Sequence, residues 1–185
     1  MTIPNFITLV RIILAPVFVI YLINDHLTSA LIVFVICTAS DGVDGMVARL
    51  FNQKSKLGAY LDPLADKLLL VTAFLLLAAM GHIPAWLTVA VIARDVTILL
   101  GVVVIHLNKL ELHIRPSVLS KINTCFQFLT VTAVLSKGFL SLPPTLYLYF
   151  YYATALFTIA SGLHYMHYGF RIMGEGSQER KSPGK

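Results

Sequence analysis

The chain has 185 residues, 57% of them hydrophobic and 12% charged, with a net charge of +5 and a mean hydropathy of +0.81. Soluble domains carry about 25% charged residues, so the composition excludes an ordinary water-soluble domain and points to the membrane. The basic residues are scattered and no aromatic platform accompanies them, which excludes a nucleic-acid partner.

Six apolar stretches reach the roughly 17–25 residues that a bilayer crossing takes: 6–23, 28–50, 60–80, 84–107, 118–137 and 144–168. The predicted fold class is therefore an all-α integral membrane protein of six transmembrane helices. The first stretch contains Arg11 and Pro16 and lacks a basic leader and a small-residue cleavage site, so it reads as a retained span, not a signal peptide. Polar punctuation separates the spans: Asn24 to His26, Asn52 to Lys54, Gly81-His82, Asn108 to Pro116, and Gly138 to Pro144. Arg49, Lys54 and Lys56 flank the second break, Lys109 and Arg115 the fourth, and Arg171, Arg180, Lys181 and Lys185 follow the last span. Basic residues mark the cytoplasmic side, which places both termini in the cytoplasm. Residues 1–173 form the predicted membrane domain, and 174–185, polar and bearing Gly and Pro, read as a disordered cytoplasmic tail. Cys37 and Cys125 lie in apolar stretches and behave as small hydrophobes.

Acid is scarce, yet four of the nine carboxylates fall between residues 41 and 66, in DGVDGMVARLFNQKSKLGAYLDPLAD. On a helix Asp41, Asp44, Gly45, Ala48 and Arg49 recur at one face, as do Gly58, Asp62 and Asp66 on the next. The joint between them is polar, so the two helices are predicted to form an antiparallel hairpin on which four carboxylates meet. At the centre of a span each Asp costs about 2.5–3.5 kcal/mol, and clustered acids also repel one another. Something positive must offset them. Arg49, Lys54 and Lys67 supply part of it; converging Asp oxygens make a hard site suited to Mg²⁺, Mn²⁺ or Ca²⁺. No His or Cys falls between residues 41 and 66, which argues against zinc. The small residues let a helix or a ligand approach the backbone closely. The alternative is a structural cluster of ion pairs.

The spacing D-x-x-D-G-x-x-A-R-x8-G-x3-D-x3-D resembles the signature of the CDP-alcohol phosphatidyltransferases. Eight fixed positions match, each at about one in fifteen by average usage, so chance agreement is on the order of one in 10⁹ per starting point. The resemblance implies an enzyme that transfers the phosphatidyl group of CDP-diacylglycerol to an alcohol and releases CMP. It implies that Asp41, Asp44, Asp62 and Asp66 hold two divalent cations, Mg²⁺ or Mn²⁺. Gly45, Ala48, Arg49 and Gly58 would belong to the nucleotide pocket, Asp66 would be the catalytic base, and the enzyme would be a homodimer.

The opening IPNFITLVRI is similar to the branch that makes phosphatidylglycerophosphate and cardiolipin. Four basic residues are candidates for the acceptor: Arg11, Arg94, Arg115 and Lys121. Arg11 alternatively snorkels to the interface, and Arg94 alternatively forms a structural ion pair with Asp95. Near the start of span five, Asn123, Thr124 and Gln127 are read as sharing a pocket-lining face, against a helix start wetted by solvent. The Arg-Glu pair and later Gly-Leu-Arg of phosphatidylglycerophosphate synthases are replaced here by Arg94-Asp95 and a stretch without the second arginine. That loss, with the ending SGLHYMHYG, resembles eukaryotic-type cardiolipin synthases. The implied acceptor is phosphatidylglycerol, ahead of glycerol 3-phosphate.

Trp86 and the run LYLYFYY read as interfacial anchors, and His82, His113, His164 and His167 as loop or headgroup-level residues. A divalent-cation transporter or channel is the competing class. Against it, the acids sit towards one end of their spans, and spans one, five and six carry none to continue a path. The membrane expected is a bacterial cytoplasmic membrane, with the active site facing the cytoplasm.

Overall fold

The structure, a computed structural model, describes the backbone of residues 3–50, 56–107, 118–140 and 142–179. Side chains are described for 13–40, 67–101, 103–104, 118–140 and 142–169. Among these residues the regular structure is helical throughout: α1 (Ile3–Ile23), α2 (Leu27–Leu50), α3 (Lys56–Ala79), α4 (Ala85–Leu107), α5 (Val118–Leu135), a 3-10 turn (Ser136–Gly138) and α6 (Pro144–Glu179). Each helix occupies one of the six apolar stretches. The third begins four residues before the predicted 60, on the polar side of the stretch. The sixth departs most. It runs to Glu179, so residues 174–179 of the expected disordered tail are helical. Glu175, Gln178 and Glu179 are good helix formers, and polarity argues for exposure, not against helix.

Two helices, Val118–Gly138 and Pro144–Gly169, are long and apolar enough among the described residues to cross a membrane. The exposed faces carry large aliphatic side chains on each helix: Ile20, Ile32, Leu75, Val89, Leu129 and Leu156, the last two-thirds exposed. Meanwhile Arg94, Asn123, Gln127, Thr130, Thr154, Thr158 and Ser161 are buried. Large apolar side chains on the outer faces, with Arg, Asn and Gln side chains buried among the apolar core, fit a lipid solvent. The chain is a membrane protein.

The chain divides into two compact units. The first comprises residues 1–85 and 128–147. In it α1 packs against α2 and α3, and α2 against the 3-10 turn. Its core is an aromatic file, with Phe18 and Phe34 ring centroids 5.6 Å apart and Phe34 stacked on Phe128 at 5.0 Å. Leu22, Phe74, Leu77, Val131 and Val134 close around it, and Cys37 lies there as a small apolar residue. Helices α1 and α3 end alike. The amides of Asp25 and His26 donate to the carbonyls of Leu22 and Tyr21, and those of Gly81 and His82 to Ala78 and Leu77. This pattern needs a left-handed residue just past the helix, and Asp25 (φ 58°) and Gly81 (φ 77°) supply it. The matched ends bring His82 Nε2 to 3.1 Å from Asp25 Oδ1, so His82 is a loop residue, as read in the sequence, and a partnered one. Lys137 Nζ lies 4.5 Å from the Tyr147 ring centroid and donates to the His82 carbonyl at 3.4 Å.

The second unit comprises residues 86–127 and 148–185. Aromatic stacking ties its helices: Phe126 on Phe157 at 4.5 Å, and Trp86 on Tyr152 at 5.9 Å. Trp86 and Tyr152 are both exposed, as interfacial anchors are. The tyrosine run splits by helical face, with Tyr147 and Tyr151 buried and Tyr149 and Tyr152 exposed.

Candidate functional site

The acid-rich window maps onto the end of α2 and the beginning of α3, two helices that pack on one another. Asp41, Asp44, Gly45, Ala48 and Arg49 occupy one register stripe of α2, and Gly58, Asp62 and Asp66 one stripe of α3. The predicted helix pair is therefore present in the backbone. The side chains of residues 41–66, and those of Arg11 and Arg115, lie outside the described residues.

Of the predicted site residues, Arg94 and Lys121 have described side chains. Arg94, on α4, is 5% exposed. A guanidinium so placed needs both a counter-charge and acceptors for its five N–H groups. The unit supplies the counter-charge and acceptors for four of the five from three helices. Nη1 donates to Asp95 Oδ1 at 2.7 Å, an ion pair that balances the charge. Nη2 donates to Ser120 Oγ on α5 at 2.6 Å and to Ser161 Oγ on α6 at 2.8 Å, with Nε also directed at Ser161 at 3.3 Å. The guanidinium carbon sits 5.9 Å from the Tyr165 ring centroid, within cation–π range. Of the two readings open in the sequence, the geometry shows the ion pair. Arg94 braces α4, α5 and α6.

Beside this brace, Asn123 and Gln127 lie one turn apart on α5, 0% and 3% exposed. Thr158 Oγ1 on α6 donates to Asn123 Oδ1 at 2.8 Å. The Asn123 Nδ2 and Gln127 Nε2 donors are buried and have no hydrogen-bond partner among the described residues. A buried donor left unpaired would cost about 1–3 kcal/mol, so two side by side call for an acceptor from water or a ligand.

Thr124 does not join them. It is exposed and its hydroxyl bonds back to the Ser120 carbonyl at 3.1 Å, because consecutive residues on a helix point about 100° apart. Lys121 is exposed as well. Sequence reasoning missed Ser120, Thr158 and Ser161. The signal available was weak: small hydroxyl residues inside apolar runs, Ser161 followed by Gly162, whose Cα faces the Arg94 stem such that a Cβ there would sit 3.6 Å from Arg94 Cγ.

The sequence matches the family model described as CDP-alcohol phosphatidyltransferase over residues 1–164. It is 35% identical to the rat protein named cardiolipin synthase (CMP-forming), over 91% of this chain and 61% of the rat protein. The human protein of the same name is also 35% identical, with 91% and 62% covered. A Bacillus subtilis protein named CDP-diacylglycerol–glycerol-3-phosphate 3-phosphatidyltransferase is 34% identical over 71% of this chain and 75% of its own length. The chain thus spans about three-fifths of the length of the animal relatives. With nearly the whole membrane domain matched, and the eight-position spacing from Asp41 to Asp66 in place, the chain belongs to the CDP-alcohol phosphatidyltransferase family.

Proposed function

We propose that the chain transfers the phosphatidyl group of CDP-diacylglycerol to a hydroxyl of a glycerol-type acceptor, releasing CMP, with phosphatidylglycerol the acceptor ahead of glycerol 3-phosphate. The observation that carries this is the spacing from Asp41 to Asp66 within a chain matched to the family over residues 1–164. The animal relatives named for cardiolipin synthesis favour the lipid acceptor, and the bacterial relative named for glycerol 3-phosphate keeps the second acceptor in play. These relatives are synthases and transferases, so the transport reading draws no support from them.

In this mechanism Asp66 takes the proton of the acceptor hydroxyl as its oxygen attacks the phosphatidyl phosphorus and the bond to CMP breaks. Asp41, Asp44, Asp62 and Asp66 fit a pair of Mg²⁺ or Mn²⁺ ions by donor chemistry, being carboxylates without a His or Cys among them. When bound, such ions neutralise charge on the diphosphate and make the acceptor hydroxyl more acidic. Gly45, Ala48, Arg49 and Gly58 take the nucleotide, small residues allowing close approach to the backbone. Arg11, Arg115 and Lys121 supply positive charge for acceptor phosphate, and Arg94 acts through the helices it braces. All six helices cross the membrane with both termini cytoplasmic, residues 1–173 form the catalytic domain with 174–185 its cytoplasmic extension, and two copies form a homodimer. The active site faces the cytoplasm. The relatives come from animals as well as bacteria, so they lend no support to a bacterial cytoplasmic membrane in particular.

The test is CMP release from purified protein with Mg²⁺ or Mn²⁺ and CDP-diacylglycerol, phosphatidylglycerol and glycerol 3-phosphate being offered separately. Release with one of them that falls by about 10²–10⁴-fold in Asp66→Asn supports the reading and names the acceptor. Folded protein that releases no CMP with either acceptor overturns it.

A further inference from the structure

We infer that the α4–α6 seam is a binding slot for the uncharged glycerol hydroxyls of a phosphatidylglycerol-type headgroup, held by Asn123 and Gln127, and that it discriminates against a phosphomonoester. The inference rests on the reading of the chain as a phosphatidyltransferase and names the residues that select its acceptor.

Three observations carry it. First, the seam holds two buried carboxamide donors, Asn123 Nδ2 and Gln127 Nε2, without partners among the described residues. Buried donors are paired in the great majority of cases, and two carboxamide N–H₂ groups one turn apart, four hydrogens in all, suit a group bearing more than one acceptor oxygen. Second, the fixed positive charge of the seam is already balanced. Arg94 is paired with Asp95 at 2.7 Å, and three more of its five N–H groups are given to Ser120 and Ser161. Asn123, Gln127, Thr158, Ser120 and Ser161 are neutral. A dianionic phosphate entering here would lose its hydration and find no unpaired cation among these side chains, a cost that a neutral polyol avoids. Third, the acceptor oxygen of Asn123 is occupied by the Thr158 hydroxyl at 2.8 Å. That contact fixes the carboxamide so that its N–H₂ group, not its carbonyl, is the end left to the ligand. The slot therefore asks for hydrogen-bond acceptors without charge, which is what the hydroxyl oxygens of a glycerol headgroup are.

The same balance bears on Arg94, which in sequence is either an acceptor-site arginine or half of an ion pair: the structure pairs it with Asp95 and buries it beside two serines. What remains exposed to a ligand in the seam is neutral.

The experiment uses the full chain in a detergent whose headgroup carries no hydroxyls, with short-chain phosphatidylglycerol and glycerol 3-phosphate as separate probes. Binding is read as a concentration-dependent rise in melting temperature, without CDP-diacylglycerol, so no turnover is needed. Phosphatidylglycerol stabilises the wild type. Gln127→Leu, which replaces a buried amide with an apolar group of similar volume, keeps or raises the melting temperature of the ligand-free protein. It weakens phosphatidylglycerol binding roughly three- to tenfold, one neutral hydrogen bond, and leaves any effect of glycerol 3-phosphate unchanged. Asn123→Ala weakens phosphatidylglycerol binding by a similar factor. In turnover, each variant raises KM for phosphatidylglycerol while KM for CDP-diacylglycerol stays put. Wild-type binding in both variants, with only water meeting the two donors, overturns the inference. So does a parallel loss of both probes or of CDP-diacylglycerol, or a wild type that phosphatidylglycerol does not stabilise. If CMP is never released yet stabilisation depends on Asn123 and Gln127, the slot stands and the transferase reading falls. If CMP is released and neither variant changes phosphatidylglycerol binding or KM, the reverse holds.

Discussion

Replacing Arg94 with methionine keeps much of the side-chain stem and removes the guanidinium. The Asp95 carboxylate, whose side chain is 13% exposed, then loses its cation, and Ser120 and Ser161 lose a shared donor. Breaking a buried pair from one side costs about 3–5 kcal/mol. In a chain of this size each kcal/mol moves the melting point by roughly 2–4 °C, so Arg94→Met is expected to melt about 6–20 °C lower. The measurement is a thermal melt in detergent, followed by far-UV circular dichroism. Adding Asp95→Leu also removes the carboxylate that Arg94 faces and replaces the pair by two apolar groups, an exchange that is often neutral or stabilising. The double variant should therefore recover most of the loss. A single variant melting within about 2 °C of wild type would show that the network carries no stability. A double variant that simply adds a second loss would show that the pair is not what the arginine is there for. Either result refutes the brace.

Phe34→Ala removes the middle ring of the Phe18–Phe34–Phe128 file and should cost about 3–5 kcal/mol, read in the same melt. Gly138→Ala places a Cβ 2.9 Å from the Thr28 backbone nitrogen and against its hydroxyl. Backbone cannot turn aside, so a loss of about 1–3 kcal/mol follows, and Thr28→Ser, which keeps the hydroxyl, should not rescue it. Gly101→Ala, where a Cβ meets nothing within 4 Å, is the matched control and should gain helix stability of about 0.5–1 kcal/mol.

The helices were legible because an apolar run of fixed length between polar breaks has one cheap solution in lipid, a helix with its backbone bonds satisfied internally. Their ends were less so. α6 continues to Glu179 because composition reports exposure and says little about helicity. The aspartate stripes on α2 and α3 were legible as spacing, since register on a helix follows from counting. The polar seam was only half visible. Asn123 and Gln127 stand four apart and announce one face, but Thr124 was grouped with them although it turns outward. Thr158 and Ser161, three apart and on one face of α6 with Thr154, were open to the same counting, but that their partners are Asn123 and Arg94 on other helices was not. For Arg94 the sequence offered two readings, a ligand for the acceptor or an ion pair with Asp95, and could not choose between them. Whether a buried arginine meets a ligand or a neighbour depends on which helices surround it, and sequence order does not state that.

The join between α1 and α2 bears on how the orientation of this chain can be mapped. His26 alone separates the left-handed Asp25 from Leu27, the amides of Asn24, Asp25 and His26 are all committed to α1 carbonyls, and the Asn24 side chain caps Ile20. A reporter enzyme, epitope or protease site spliced there would have to unwind a helix end to fit, and silence from it would report damage instead of sidedness. Single-residue labels suit this hairpin better, and His26, exposed and outside the Asn24 cap, is the position to carry one.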